Sequence, residues 1–498
     1  MTAPETFPTQ THYLNGEPYH SDTSTFTIYN PATGVPSAEV FTASPSDIEH
    51  AINTSLAAFD AWSKTPSIER SRILLRAVSL LRARNNDIAR IETLDTGKAY
   101  VETSTVDIAT GADVLEYFAG VAMGLAGEGK MIPLRDNAWI YTRKEPLGVC
   151  VGIGAWNYPI QIALWKCAPA LAAGNTFIFK PSEVTPLTAS ILASILTEAG
   201  LPPGVFNVIH GGATVGAALC SHPRVAKVSF TGQPSTGISV YTAAAKTLKP
   251  VTLELAGKSP FIVFADADLT AAVDCCLTAN FFSTGQVCTN GTRVFVHSSI
   301  MGEFTSLLVQ KAKECIRAGD PLDPATNFGP LVSKQHYEKV VAYIRHGVDV
   351  DKASLLLGGT SVSLPPPFDS GFFLPPTIFT DCTDAMKIVR EEIFGPVACL
   401  LSFETLDEAI ARANDTELGL AAGVFTKDLD IAHRVVAKVN AGICWINTWG
   451  ESPAQMPVGG WGFSGLGVEN GVEALDAFTR NKSVLVENGS VVPAFAKL

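Results

Sequence analysis

The run LGVCVGIGA (147–155), followed by NTFIF (175–179), FNVI (206–209), KVSF (227–230), VTLEL (251–255) and FIVFA (261–265), decides the fold. These short apolar runs alternate with helix-length stretches, which makes βαβ units, and their near-continuous apolar character marks parallel strands buried on both faces. The expectation is an α/β domain laid out as dinucleotide-binding domains are.

Upstream, 45–62 and 68–94 repeat apolar residues at the 3.6 period, with Ser46 and then Ser67 or Glu69 as starts, and read as helices on the same domain. Downstream, 268–283 reads as a helix, GQVCTNGTR (285–293) as a loop and 294–297 as a strand. Helices over 302–317, 334–347, 406–413 and 429–439 then alternate with strands such as 423–426 and 441–447, a second α/β unit reaching about residue 455. The segments 124–143 and 483–492 look like strands outside both sheets, and free strand edges invite another chain.

A chain of 498 residues divides into two to four domains, and 47% hydrophobic against 17% charged residues describes a packed globular body. The net charge of −12, with no long Lys/Arg block, excludes a phosphate-backbone footprint and hence nucleic acid, and would favour a cationic ligand. Ten cysteines without a CxxC pair indicate a reducing compartment. No secretory leader and no apolar run of about 18 residues point to a soluble protein without membrane partners. The ending Ala496-Lys497-Leu498 resembles the peroxisomal Ser-Lys-Leu address, so a eukaryotic source implies the peroxisome and any other the cytoplasm.

Three features carry chemistry. Cys288 lies in a Gly-containing loop just beyond a helix, where an inert buried thiol is the commoner occupant and a nucleophile the alternative. Glu254 ends an apolar parallel strand, where α/β proteins place ligands and where desolvation raises a carboxyl towards general-base range. Asn157, in GAWNYP (154–159), offers an amide donor for an oxyanion, and Lys180 with Glu183, in FKPSE (179–183), offers a cation and a carboxylate suited to ribose hydroxyls. The GxGxxG spacing is missing, so phosphate binding falls to the helix start near Ser235.

The ordered set WNYP, FKPSE, FTG, ELxGKSP, GQVCTNGTR, EEIFGPV and INTWGESPAxMPVGG resembles the aldehyde dehydrogenase family over nearly the whole chain, and ETLDTGKAYVETSTVDIATGADVLEY with GAWNYPIQIALWK most resembles its betaine aldehyde members. The resemblance implies two Rossmann-like parallel-sheet α/β domains plus a small β oligomerisation arm. An NAD-binding domain would span 1–123 and 144–257, a catalytic domain with the nucleophilic cysteine 258–455, and the arm 124–143 and 470–498, in a homodimer or homotetramer.

It implies that Cys288 adds to an aldehyde carbonyl, that Asn157 and the Cys288 N–H stabilise the oxyanion, and that Glu254 activates the water that hydrolyses the thioester. Lys166 and Glu469 match a charged relay pair. For NAD it points to Gly154, Ala155, Trp156, Lys180, Pro181, Ser182, Glu183, Gly212, Gly232, Ser235 and Leu255, with Glu392 and Phe394 at the nicotinamide ribose; a carboxylate at 183 disfavours NADP. Tyr158, Trp165 and Trp449 match an aromatic box for a trimethylammonium group, the first two seven residues apart on one helix face. Potassium would meet Ile28, Asp95 and Val184, and Leu248 in a second site.

The reaction implied is oxidation of betaine aldehyde to glycine betaine. The alternatives are 4-trimethylaminobutyraldehyde or other ω-aminoaldehydes by the same mechanism, a CoA-acylating relative, or a silent NAD-binding protein. The sequence departs from the family pattern at three places: Ala256 for Gly, which implies strain if positive φ is required, Gln233-Pro234 for a small residue, and Gly462 for Lys.

Overall fold

The structure, a computed structural model, describes residues 6–124, 129–360, 362–489 and 495; Ala496-Lys497-Leu498 lies outside them. The first five apolar runs form β1 (Val149–Ile153), β2 (Thr176–Lys180), β3 (Phe206–Val208), β4 (Val225–Thr231) and β5 (Val251–Glu254), parallel and in spatial order 3-2-1-4-5. Every residue of β1 and β2 is buried, because helices cover both faces, and this is why neither alternates polar with apolar. The pair His12–Leu14 and Glu17–Tyr19 extends the β3 edge antiparallel, and Gly465–Leu466 closes the β5 edge.

The sixth run leaves this sheet. Only residues 255–259 separate β5 from β6 (Pro260–Val263), too few for a crossover back to the same sheet, which needs a dozen or more. With β7 (Arg293–His297), β8 (Thr377–Thr380), β9 (Val397–Phe403), β10 (Ala421–Phe425) and β11 (Ile443–Ile446) it makes a second parallel sheet ordered 8-9-7-6-10-11. Ser354–Leu357 lies antiparallel on its β8 edge.

The segments read as outlying strands form a separate antiparallel sheet of Met131–Arg135, Ala138–Pro146 and Thr479–Glu487. Its third strand begins earlier than the pattern 483–492 implied, because Thr479 pairs with Pro146, and its described part runs to Glu487 opposite Ala138; residues 490–492 lie outside the described residues. Met131–Arg135 is exposed throughout.

Two helix expectations are corrected. The first helix runs Pro45–Lys64 and is capped by Ser44, not Ser46: Ser44 Oγ accepts the Asp47 N–H (3.1 Å) while Asp47 Oδ2 accepts the Ser44 N–H (2.7 Å), a capping box with Pro45 at N1. The span 68–94 is two helices, Ser67–Ala83 and Asn85–Thr96, because Arg84 (φ −105°, ψ 12°) leaves the helical region and lets each segment bury its own apolar face. Among the described residues no helix is long and apolar enough to cross a membrane.

Candidate active site

The carboxyl ends of β1, β2, β4 and β5 deliver Gly154, Lys180, Gly232 and Glu254 to one side of the first sheet, where open α/β sheets bind ligands. There a cleft of about 400 Å³ holds Asn157, Glu254 and Cys288 together with Tyr158, Trp165 and Trp449. Asn157 comes from the loop between β1 and the helix Pro159–Ala172, and Cys288 from the loop after a 3₁₀ turn over Phe282–Gly285. In that turn Ser283 and Thr284 take φ of 52° and 54°, and Gly285 takes 74°. A Cβ at Gly285 would fall 2.3 Å from Gly395, so the turn carrying the nucleophile loop closes only on glycine.

The close approach after β5 is made by Gly257, whose Cβ would lie 2.2 Å from the Cys288 carbonyl oxygen. Ala256 does not adopt positive φ, and its carbonyl accepts the Ser464 hydroxyl at 2.6 Å. The strain expected of an alanine there is absent, because the preceding position is ordinary backbone and the crowding falls one residue later.

Burial pushes the Cys288 thiol up to about 12, and the carboxylates of Glu392 and Glu254 add to it; the N–H groups of Cys288 and Thr289 face the sulfur and oppose the rise. Burial likewise holds Glu254 well above the carboxylate range, helped by the Glu469 charge and opposed by Lys166. Glu254 Oε1 is buried with no hydrogen-bond partner among the described residues. A proton or a water there would meet a carboxyl whose bonding capacity is unused. Asn157 Nδ2 donates to the Gln286 carbonyl (2.9 Å), which fixes the amide and leaves its second N–H available.

Lys166 and Glu469 form a buried ion pair at 2.5 Å, and Ser229 Oγ bridges them at 3.0 and 2.8 Å. Sequence reasoning missed a second buried group. Lys98 Nζ contacts Asp107 (2.7 Å) and Glu102 (3.2 Å), donates to the Asn157 carbonyl (3.3 Å) and stands 3.4 Å from the centroid of the Tyr158 ring. Burial alone would lower its pKa, yet Asp107 and the neighbouring acids raise it, so it stays charged. The i,i+4 spacing of Lys98 and Glu102 was the available signal.

Tyr158 caps the helix Pro159–Ala172 instead of lying within it (φ −140°, ψ 66°), so the shared helix face expected of Tyr158 and Trp165 is not what joins them. The cleft does. The Tyr158 hydroxyl is 2.7 Å from Ser283 Oγ, and Trp449 packs at a tilt against Trp445 and Phe261, at 4.9 and 5.2 Å between ring centroids. Phe282 also lines the cleft, an aromatic overlooked because it read as the end of a helix.

At the carboxyl end of β2, outside the cleft lining, Lys180 Nζ donates to the Pro181 carbonyl (3.0 Å) and lies 3.4 Å from the exposed Glu183 carboxylate; Ser182 Oγ accepts the Val184 N–H. Gly212 caps the helix Ala213–Ser221 with open space in front of it. The Gly232 N–H donates to the Glu254 carbonyl (3.0 Å), and Leu255 packs against Gly237. Ser235 lies in the first turn of Pro234–Ala245, which has no side-chain cap. Pro234 stands at N1, where a helix needs no N–H, so Gln233-Pro234 is compatible with this start.

Glu392 Oε1 accepts the Gly257 N–H (2.9 Å), and burial raises its pKa to about 7. Trp156 packs between His336 (4.9 Å) and Phe394 (5.1 Å), and the His336 Nε2–H donates to the Phe394 carbonyl at 2.6 Å. An uncapped helix start for phosphates, with a carboxylate–ammonium pair for a ribose, fits a dinucleotide. A groove of about 520 Å³ continues from the cleft, sharing Gln233, Ala256, Lys339 and Glu392 with it.

The residues expected around potassium are partly assembled. Asp95 is buried and accepts the Leu187 N–H at 2.9 Å, Leu187 packs with Ile28, and Val184 lies three residues before Leu187. Leu248 is 92% exposed with φ 54°. Gly462 has φ 58°, and a Cβ there would lie 2.6 Å from the Glu417 carbonyl, so a lysine at this position would be strained. Among the described residues no group of three His, Cys, Asp or Glu side chains is placed to hold a metal.

A parallel-sheet crevice with a loop cysteine, a buried strand-end carboxyl and an amide facing one cavity defines a thiol-dependent α/β enzyme. The chain belongs to the aldehyde dehydrogenase family, whose model matches residues 19–484. It is similar to the crystal structure of betaine aldehyde dehydrogenase from Staphylococcus aureus in complex with NAD+, at 37% identity and TM-score 0.93 over 98% of this chain and 97% of that one. An NAD-dependent aldehyde dehydrogenase from Sinorhizobium meliloti matches at 37% identity and TM-score 0.94 over 98% and 96%. Indole-3-acetaldehyde dehydrogenase complexed with NAD+ matches at 37%, 0.92 and 96% of both chains.

Proposed function

We propose that this aldehyde dehydrogenase oxidises betaine aldehyde, a trimethylammonium aldehyde, to glycine betaine with NAD. The observation that carries the reading is the meeting of Cys288, Glu254 and Asn157 with Tyr158, Trp165 and Trp449 in one cleft. Cys288 Sγ bonds to the aldehyde carbon as its proton passes to Glu254 or to water. The Asn157 amide and the Cys288 N–H hold the resulting oxyanion. NAD, when bound, accepts the hydride that leaves this carbon, and Trp156, Lys180, Glu183, Ser235, Glu392 and Phe394 are the residues that would hold it. Glu254 then takes a proton from the water that attacks the Cys288 thioester, releasing carboxylate and thiol. Lys166, Glu469 and Ser229 form the buried route along which that proton leaves Glu254.

The aromatic faces hold the ammonium by cation–π attraction of roughly 0.5–2 kcal/mol per ring. The division into domains at 1–123 with 144–257, 258–455, and 124–143 with 470–498, assembly through the three-stranded arm, and potassium at Asp95 belong to the same reading. A substrate panel tests it: betaine aldehyde, 4-trimethylaminobutyraldehyde and the neutral isostere 3,3-dimethylbutanal, each with NAD, with and without potassium and with CoA. Betaine aldehyde is expected to show the highest kcat/KM, with no acyl-CoA formed. Equal values for the cation and its isostere would overturn the reading.

A further inference from the structure

We propose that Glu451 sets the preference for a cationic aldehyde, as a carboxylate at the substrate side of the cleft. The inference rests on the cationic-aldehyde reading above and adds a residue to it. Four carboxyl side chains line the cleft. Glu254 and Glu469 are buried, the latter in its pair with Lys166, and Glu392 is raised to about 7 and bound to the Gly257 N–H. Glu451 alone among these four is exposed, and it makes no ion pair among the described residues. The cleft has one lysine in its lining, Lys339, whose charge acts on Glu392 and which, with Glu392 but without Glu451, also lines the adjoining groove. The wall beside Trp449 is therefore negative and lacks a neutralising cation.

The carboxylate is also held in place. The Thr448 hydroxyl donates to Glu451 Oε1 at 3.2 Å, the Trp445 indole N–H fixes the backbone by donating to the Glu451 carbonyl at 2.9 Å, and Trp445 packs against Trp449 in a tilted pair at 4.9 Å. Asn447 (φ 54°) and Gly450 (φ 85°) turn the intervening backbone so that Trp449 and Glu451 both face the cleft. An aromatic face holds a trimethylammonium group at short range but rejects a neutral isostere of the same shape weakly, whereas a fixed carboxylate discriminates by charge at longer range.

The experiment compares kcat/KM for betaine aldehyde with that for 3,3-dimethylbutanal in the wild type, Glu451→Gln and Glu451→Lys, at low and high salt. The expected result is a cation-to-neutral ratio about three- to ten-fold lower in E451Q, carried mainly by KM, and lower again in E451K. Salt should depress the wild-type ratio and leave the E451Q ratio flat. A wild type that favours the cation while E451Q keeps the same ratio overturns the assignment to Glu451 alone. A wild type without any preference for the cation overturns the cationic-aldehyde reading, and this inference with it.

Discussion

The Lys98 ammonium stands 3.4 Å from the centroid of the Tyr158 ring, while the same nitrogen donates to the Asn157 carbonyl. One buried cation thus orders both the amide proposed for the oxyanion and an aromatic wall of the cleft. Replacing it with an uncharged side chain of similar size, Lys98→Met, leaves Asp107 and Glu102 buried without their counter-charge. The expected cost is about 3–5 kcal/mol of stability, measured by denaturant unfolding, together with a drop in kcat larger than the change in KM. A variant as stable and as active as the wild type would remove Lys98 from this role.

Cys288 in the free protein should rest as a thiol and react only through its small thiolate fraction. Because burial and the neighbouring carboxylates raise its pKa to about 12, the protonated form dominates at neutral pH, and the reactive fraction grows about ten-fold per pH unit up to that value. Iodoacetamide alkylation of Cys288, read by peptide mass spectrometry, is expected to climb from pH 7 to 9 without a plateau. Glu392→Gln removes one of the charges that raise the thiol and should speed alkylation several-fold at pH 8. A plateau below pH 8 would contradict the burial argument.

Glu254→Gln keeps the side-chain volume but removes the base. If Glu254 activates the hydrolytic water, steady-state turnover should fall about 10²–10⁴-fold while a rapid burst of NADH, stoichiometric with Cys288, persists. Loss of the burst in step with turnover would assign Glu254 to thiol activation instead. Cys288→Ala should abolish both phases with the far-UV circular dichroism retained.

The exposed Glu183 carboxylate beside the buried Lys180 ammonium should discriminate against a 2′-phosphate. Glu183→Gln is expected to raise the NADP-to-NAD ratio of kcat/KM about ten-fold or more, leaving Lys180 to attract the added charge. An unchanged ratio would locate cofactor choice elsewhere.

The five parallel strands of the first sheet were legible because each is an apolar run too short for a helix and buried within the sheet. The capping at Ser44 was missed by two residues because Ser44 and Ser46 both flank Pro45, and only the reciprocal bonds with Asp47 separate them. Likewise the break at Arg84 leaves no trace in a 3.6-period pattern that continues through it.

What the sequence determined by itself was local and chemical: which runs become strands, and which side chains can act as nucleophile, base and amide donor. The tertiary structure decided everything that depends on long-range proximity. It brought the charges of Glu469 and Lys166 to bear on Glu254 from distant parts of the chain, sent the sixth run to a second sheet, and set Lys98 beneath Tyr158. Spacing along a chain fixes a residue's direction on its own helix or strand, but a pKa, a shared cavity or an ion pair is fixed by what other segments bring alongside, and desolvation is a property of the packed whole.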